Sequence, residues 1–177
     1  AGLVICLIVY AVCLVWLALA GSWCLSVADC FAILGTLLLS VFSSSTLLIL
    51  IVRFFRSEGA FTGLNVILGT VIGFLVGAYM PLSMFPEAVQ TITLFIPGGY
   101  SAGMFRNFFL RGSLDVISQE LSPQFAEALA DEYSLTLRGF GGEVTLPVMA
   151  VVLAGCTVLF AAVNVLISLK MSGKRRA

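Results

Sequence analysis

Apolar and polar positions along the chain alternate in long blocks rather than with a short period. Gly2 to Ala20, Cys30 to Val52, Ala60 to Met80 and Leu146 to Leu169 are apolar and almost free of charge. About 20 such residues, at about 1.5 Å each, cross a hydrocarbon layer as a helix. Each block is therefore predicted as a membrane span. Between the third and fourth lie Pro86 to Ile96 and Gly98 to Leu110, also strongly apolar but individually too short to cross about 30 Å of hydrocarbon. Prolines bound them: Pro81 and Pro86 before the first piece, and Pro97 with Gly98-Gly99 before the second. Backbone at membrane depth must find its hydrogen bonds inside the protein, and two short helices packed as a hairpin satisfy that demand. The fold expected is an all-α membrane protein with four transmembrane helices and a re-entrant pair of short helices on the external side. A pair of interfacial helices lying flat on the bilayer is the other arrangement these lengths allow.

Polar positions refine this layout. Asp29 precedes the second span and suits a helix cap. Trp16 and Trp23 flank the end of the first, as interfacial anchors do. Ser43 to Thr46 place hydroxyls in the second span, where they can bond back to their own helix, cross to another, or line a polar path. Asn65 opens the third span and Asn164 lies in the last. Gly69, Gly73 and Gly77 fall at four-residue spacing on one helix face, a pattern that lets another backbone approach closely. Arg106 sits among Met104, Phe105, Phe108 and Phe109; at that position a charge should lie at the interface or pair with an acid, for which Glu87 is nearest. Residues 112–145 are the polar segment, with Asp115, Glu120, Glu127, Asp131, Glu132 and Glu143, and are expected to form an external loop that carries a short helix at Pro123 to Ala130.

Charge fixes an orientation. Lys170, Lys174, Arg175 and Arg176 follow the last span, and Arg53 and Arg56 follow the second. The positive-inside rule puts both clusters in the cytoplasm, with the re-entrant pair and the acidic segment outside. The composition agrees with a membrane protein: 60% hydrophobic and 10% charged, against about 25% charged in soluble domains. Mean hydropathy is +1.14. The chain begins inside an apolar run without a methionine, so it is expected to be a piece of a longer protein.

Several chemistries are excluded or lack support. With no histidine, imidazole metal sites and His-based acid–base catalysis are excluded within this sequence. It carries no phosphate-binding G-x-x-x-x-G-K-[ST] loop, no G-x-S-x-G and no H-E-x-x-H. Neutral net charge gives no reason to expect nucleic acid. No acid lies mid-span, where an ion-coupled carrier would hold one. Five cysteines are present without a C-x-x-C pair; Cys24 and Cys30 flank a loop and are the one pair whose bonding is left open. No catalytic, cofactor or metal residue is expected.

The run GFLVGAYMPLSMFPEAVQTITLFIPGGYSAGMFRNFFL resembles the membrane subunits of ABC-2 type transporters, in particular bacterial drug and lipid exporters. The resemblance rests on Gly77, Pro81, Pro86, Val89, Gln90, Pro97 and Arg106, and it covers the chain from about Ala60 to its end. It implies a six-span permease of which this chain holds the third to sixth spans. It also implies a bacterial plasma-membrane location, a second permease subunit and a cytoplasmic ATPase that holds ATP and magnesium. Asn65, Gly69, Gly73 and Gly77 would then lie on the packing face and substrate pathway. Pro81, Pro86, Gln90, Pro97 and Arg106 would belong to an external gate. GGYSAG after Pro97 departs from the more usual polar stretch of that family. A passive channel, half of an ion-coupled carrier, and a non-transporting assembly subunit are the rival functions.

Overall fold

A computed structural model of the chain describes residues 2–21, 23–53, 55, 57–139 and 142–174. Seven α-helices are present: α1 (Gly2–Leu19), α2 (Val27–Val52), α3 (Glu58–Leu75), α4 (Glu87–Thr93), α5 (Pro97–Glu120), α6 (Pro123–Glu132) and α7 (Leu146–Lys174). A 3-10 turn covers Leu82–Met84, and strands β1 (Leu137–Gly139) and β2 (Gly142–Val144) form an antiparallel hairpin that pairs Leu137 with Val144. The described fold is all-helical apart from that hairpin.

Among the described residues, three helices are long and apolar enough to cross a membrane: Gly2–Leu19, Val27–Val52 and Leu146–Lys170. The expected fourth, Ala60 to Met80, is a shorter helix than expected. Its helix stops at Leu75, and its apolar part is only Phe61–Leu75, about 22 Å long at 1.5 Å per residue. The reason is Gly77, whose φ of +73° is left-handed. Gly77 N donates to Phe74 O at 3.0 Å and Ala78 N to Gly73 O at 2.9 Å. This is a Schellman ending, in which glycine turns the chain out of the helix and the next amides close on earlier carbonyls.

The polar segment is corrected too. The second short piece does not end at Leu110: α5 runs unbroken to Glu120, about 36 Å by helical rise. What was expected as a loop from 112 to 145 is the last two turns of α5, then α6, then the β-hairpin. The helix expected at Pro123 to Ala130 is present and extends to Glu132, capped by Ser122, whose hydroxyl accepts from Phe125 N at 3.2 Å. The first short piece is α4, shorter than Pro86 to Ile96.

Helix α2 starts earlier than Asp29. Ser26 is its N-cap and Asp29 is the third helical residue, its carboxylate accepting from Ser26 N at 3.1 Å. The pair makes a reciprocal capping box. Asp29 therefore supports the cap instead of being it.

Helices α2, α5 and α7 pack on one another, and α6 packs on α5. In α7, Asn164 Nδ2 donates to Thr46 O of α2 at 2.8 Å. This contact lies in the last turns before Arg53 and Lys170, so those basic ends share one end of the molecule. At the other end α5 meets the α1–α2 connection. Arg111 forms an ion pair with Asp29, and Gly112 lies against the carbonyl of Cys24. Beyond that level α5 carries Asp115 and Glu120, and α6 carries Glu127, Asp131 and Glu132, at the end opposite the basic residues. Arg56, Arg175 and Arg176 lie outside the described residues. All five cysteines are free thiols, Cys24 and Cys30 included.

One buried apolar cluster lies beneath this acidic cap, and Ile33 and Leu37 are buried separately in α2. Leu82, Tyr100, Met104, Leu137, Met149 and Leu153 form the cluster, with Phe85, Leu94, Phe108 and Leu146 around them. In α1 no residue is buried; its apolar surface needs hydrocarbon or other protein around it.

Gly112 offers a direct test of the α5 packing. A Cβ there would run into the Cys24 backbone, which cannot rotate away as a side chain can. Gly112→Ala should lower stability by about 1–3 kcal/mol, the usual cost of overpacking. Thermal unfolding in detergent micelles would measure it, and Gly142→Ala, where a Cβ meets nothing within 4 Å, serves as the control.

Candidate functional site

The stretch from α3 to α5 forms a junction built around one helix end. A helix leaves its last carbonyls without intrahelical partners, and in an apolar setting each must be answered by protein. The Schellman turn answers Gly73 O and Phe74 O. The next three carbonyls are answered by side chains from the hairpin. Thr93 Oγ1 in α4 donates to Leu75 O at 2.8 Å. Arg106 Nη2 in α5 donates to Val76 O at 2.5 Å and to Gly77 O at 2.8 Å. Thr93 has no exposure at all, and its hydroxyl also lies 3.2 Å from Val89 O in its own helix.

Arg106 is thus corrected. It does not pair with Glu87, which is exposed; it caps α3. Its Nη1 is buried without an acceptor, so backbone dipoles are what hold the charge.

The glycines divide. Gly77 supplies the left-handed turn, and a Cβ on it would come within 2.6 Å of Arg106 Nη2. Gly73 lies under the ring of Tyr79, which folds back over the helix and stacks edge-on with Phe74 at 5.0 Å. Gly69 has open space where a Cβ would stand. The expected packing stripe is therefore not occupied by another helix of this chain; two of its three glycines serve the ending of α3.

Gly69 and Asn65 do share a cavity of about 190 Å³. One wall is α2, with Ser44, Leu47, Leu48 and Ile51; the other is α3, with Phe61, Leu68 and Ile72; the hairpin tip, Ile96-Pro97-Gly98, closes it. Ser44 and Asn65 are its polar side chains, and no charged residue lines it. The hydroxyls of α2 have different fates: Thr46 bonds back to Phe42 O at 2.9 Å, while Ser43 is buried with its Oγ unpartnered.

The remaining predicted site residues shape the hairpin. Pro81 precedes the 3-10 turn and Pro86 precedes α4, each with the fixed φ of −56° that proline prefers. Pro97 opens α5 at its first position, where its missing N–H costs nothing. Gln90 Nε2 donates to Phe85 O at 2.8 Å, tying α4 to the turn before it. Tyr100 OH donates to Leu94 O at 2.7 Å across the tip, and Gly99 permits the close approach of Thr93, whose Cγ2 would lie 2.7 Å from a Cβ.

The cap grips the same hairpin. Ser83 N donates to Ser134 Oγ at 3.1 Å and Ser83 Oγ to Glu132 O at 2.9 Å. Asn107 Nδ2 donates to Leu135 O. Thr93, Tyr100, Ser83 and Asn107 were not among the residues expected to matter. Their partners are mostly backbone atoms, which leave no trace in residue order. Among the described residues no group of three or more acids and cysteines could hold a metal ion.

Compared with known proteins, the chain matches no family model, no curated protein and no solved structure.

Proposed function

We propose that this chain is the membrane-embedded part of a permease, the subunit of an ATP-driven exporter that forms the substrate path. The observation that carries the proposal is the hairpin of α4 and α5. Two helices bounded by Pro86 and Pro97 meet at a tip that closes an uncharged cavity between α2 and α3. Such a hairpin re-enters the bilayer from the acidic face and acts as the external gate. α3 would complete a fourth crossing together with the turn after it. Arg53 and Lys170 at the opposite end mark the cytoplasmic side, where a separate ATPase would bind and where its ATP and magnesium would be held. A second permease subunit would cover the exposed apolar surface not taken by lipid, in a bacterial plasma membrane.

An ion-coupled carrier fits less well. Such carriers hold ionisable groups at the substrate site, and the cavity has none. The test is reconstitution of the full-length subunit with its ATPase in vesicles. ATP-dependent movement of a candidate substrate is expected; its absence across drug, lipid, peptide and polysaccharide candidates would overturn the proposal. The gate assignment has its own check. Cysteines placed at Val89, Ile92 and Phe95 should react with membrane-impermeant reagents added outside, and reaction from the inside alone would remove it.

A further inference from the structure

We infer that Thr93 and Arg106 form a clamp that ties the end of α3 to α4 and the first half of α5, so that α3 and the hairpin tip shift together instead of sliding past each other. The Schellman turn leaves the successive carbonyls of Leu75, Val76 and Gly77 open, and the hairpin takes all three. The two donors come from different helices. Pulling α3 away from either one strands carbonyl groups in an apolar setting, and that penalty is large.

α5 itself packs on α2 and α7, so what the clamp leaves free to move is α3 with α4 and the tip. Between α3 and α2 lies the 190 Å³ cavity, and among the described side chains of α3 none is buried. α3 is therefore held mainly at its end, by the hairpin, and is open along its length. The hairpin is also gripped from the other side, by Ser83 on Ser134 and Glu132. A tilt of α3 would carry the tip residues Ile96 to Gly98 with it and change the width of the cavity they close. Thr93 and Arg106 are positioning residues in this scheme; neither needs to touch what passes. The value of the coupling for transport rests on the permease reading, whereas the coupling itself does not.

Spin labels can measure it in the full-length chain in nanodiscs, with the five native cysteines replaced. Val66 on α3, Ile92 on α4 and Val158 on α7 are exposed sites, at 65%, 50% and 68%. The Val66–Ile92 distance should be narrowly distributed, and the Val66–Val158 distance clearly broader. Thr93→Val, which keeps the shape and removes the hydroxyl, should widen Val66–Ile92 measurably, and Thr93→Ser should restore it. Arg106→Met should widen it about twofold or more; if that variant does not fold, the threonine pair decides the matter. A Val66–Ile92 distribution as broad as Val66–Val158 in the unaltered clamp would overturn the inference, as would one that Thr93→Val leaves unchanged. None of these outcomes depends on transport, so a failed transport assay and a failed clamp are told apart.

Discussion

Replacing Arg111 with methionine is expected to cost about 3–5 kcal/mol, near the lower end of that range, because it strands Asp29. Asp29 is only 3% exposed, and one of its oxygens is committed to the cap amide of Ser26. The other, Oδ1, faces Arg111 Nη2 at ion-pair distance although no N–H points straight along the line to it. Arg111 itself is half exposed, with a side-chain accessibility of 48%, while that of Asp29 is 4%. The pair is therefore lopsided. The arginine loses little hydration when it binds, and the carboxylate loses nearly all of its own. Removing the arginine leaves a buried charge, whereas removing the carboxylate leaves a solvated one. Asp29→Asn should accordingly be the milder change. The double variant Asp29→Asn with Arg111→Met should recover much of the stability lost by Arg111→Met alone. Thermal unfolding of the four proteins in one detergent gives the cycle; strictly additive losses would show that the two residues do not interact.

That ion pair also marks where residue order stops being informative about the fold. α1, α2 and α7 are legible because uninterrupted hydrophobicity over about 20 residues has few other meanings. α6 is legible from Ser122-Pro123, a cap followed by a proline at the first helical position. α5 is not. Its first half is apolar and small-residue-rich, its second half carries Arg111, Asp115 and Glu120, and Gly112 sits at the change. Composition reads that change as the end of a helix. Physically it is a change of surroundings along one continuous helix, which packs beside α2 and α7 and then passes the α1–α2 connection at Cys24. Gly112 is there to let α5 pass close to that connection.

The candidate site shows a second limit. The sequence pattern points to Pro86, Gln90, Pro97 and Arg106, and all of them lie in or beside the hairpin. A charge in apolar sequence points to an acid as the partner of Arg106, because charges usually seek charges; its partners are the carbonyls of Val76 and Gly77. A helix end presents partial negative charge, yet the place where a helix ends is itself one of the weakest inferences from sequence. Gly77 could be read either as part of a packing stripe or as a stop, and Pro81 four residues later favours the stop. Thr93 gave no signal at all, since a threonine in an apolar helix most often bonds back to its own turn.

Gly77→Ala is expected to lower stability by about 2–4 kcal/mol and to loosen the whole junction. Two costs combine. An L-residue held at φ of +73° pays about 1–2 kcal/mol that glycine does not. The added Cβ would also stand 2.6 Å from Arg106 Nη2 and 3.0 Å from Leu82 Cγ. Leu82 is 4% exposed and belongs to the core, so it has little room to yield. The guanidinium must then retreat from Val76 O and Gly77 O, and hydrogen bonds to a charged group contribute about 1.5–3 kcal/mol each, only part of which is lost if the arginine finds new partners. Gly69→Ala, on the same helix face with nothing within 4 Å of its Cβ, should be neutral or slightly stabilising, because alanine favours helix by about 1 kcal/mol over glycine. Melting temperatures of the two variants in one detergent separate the explanations. If the glycines formed a packing stripe within this chain, both substitutions would be harmful. If Gly77 is the stop of α3, only its substitution should be.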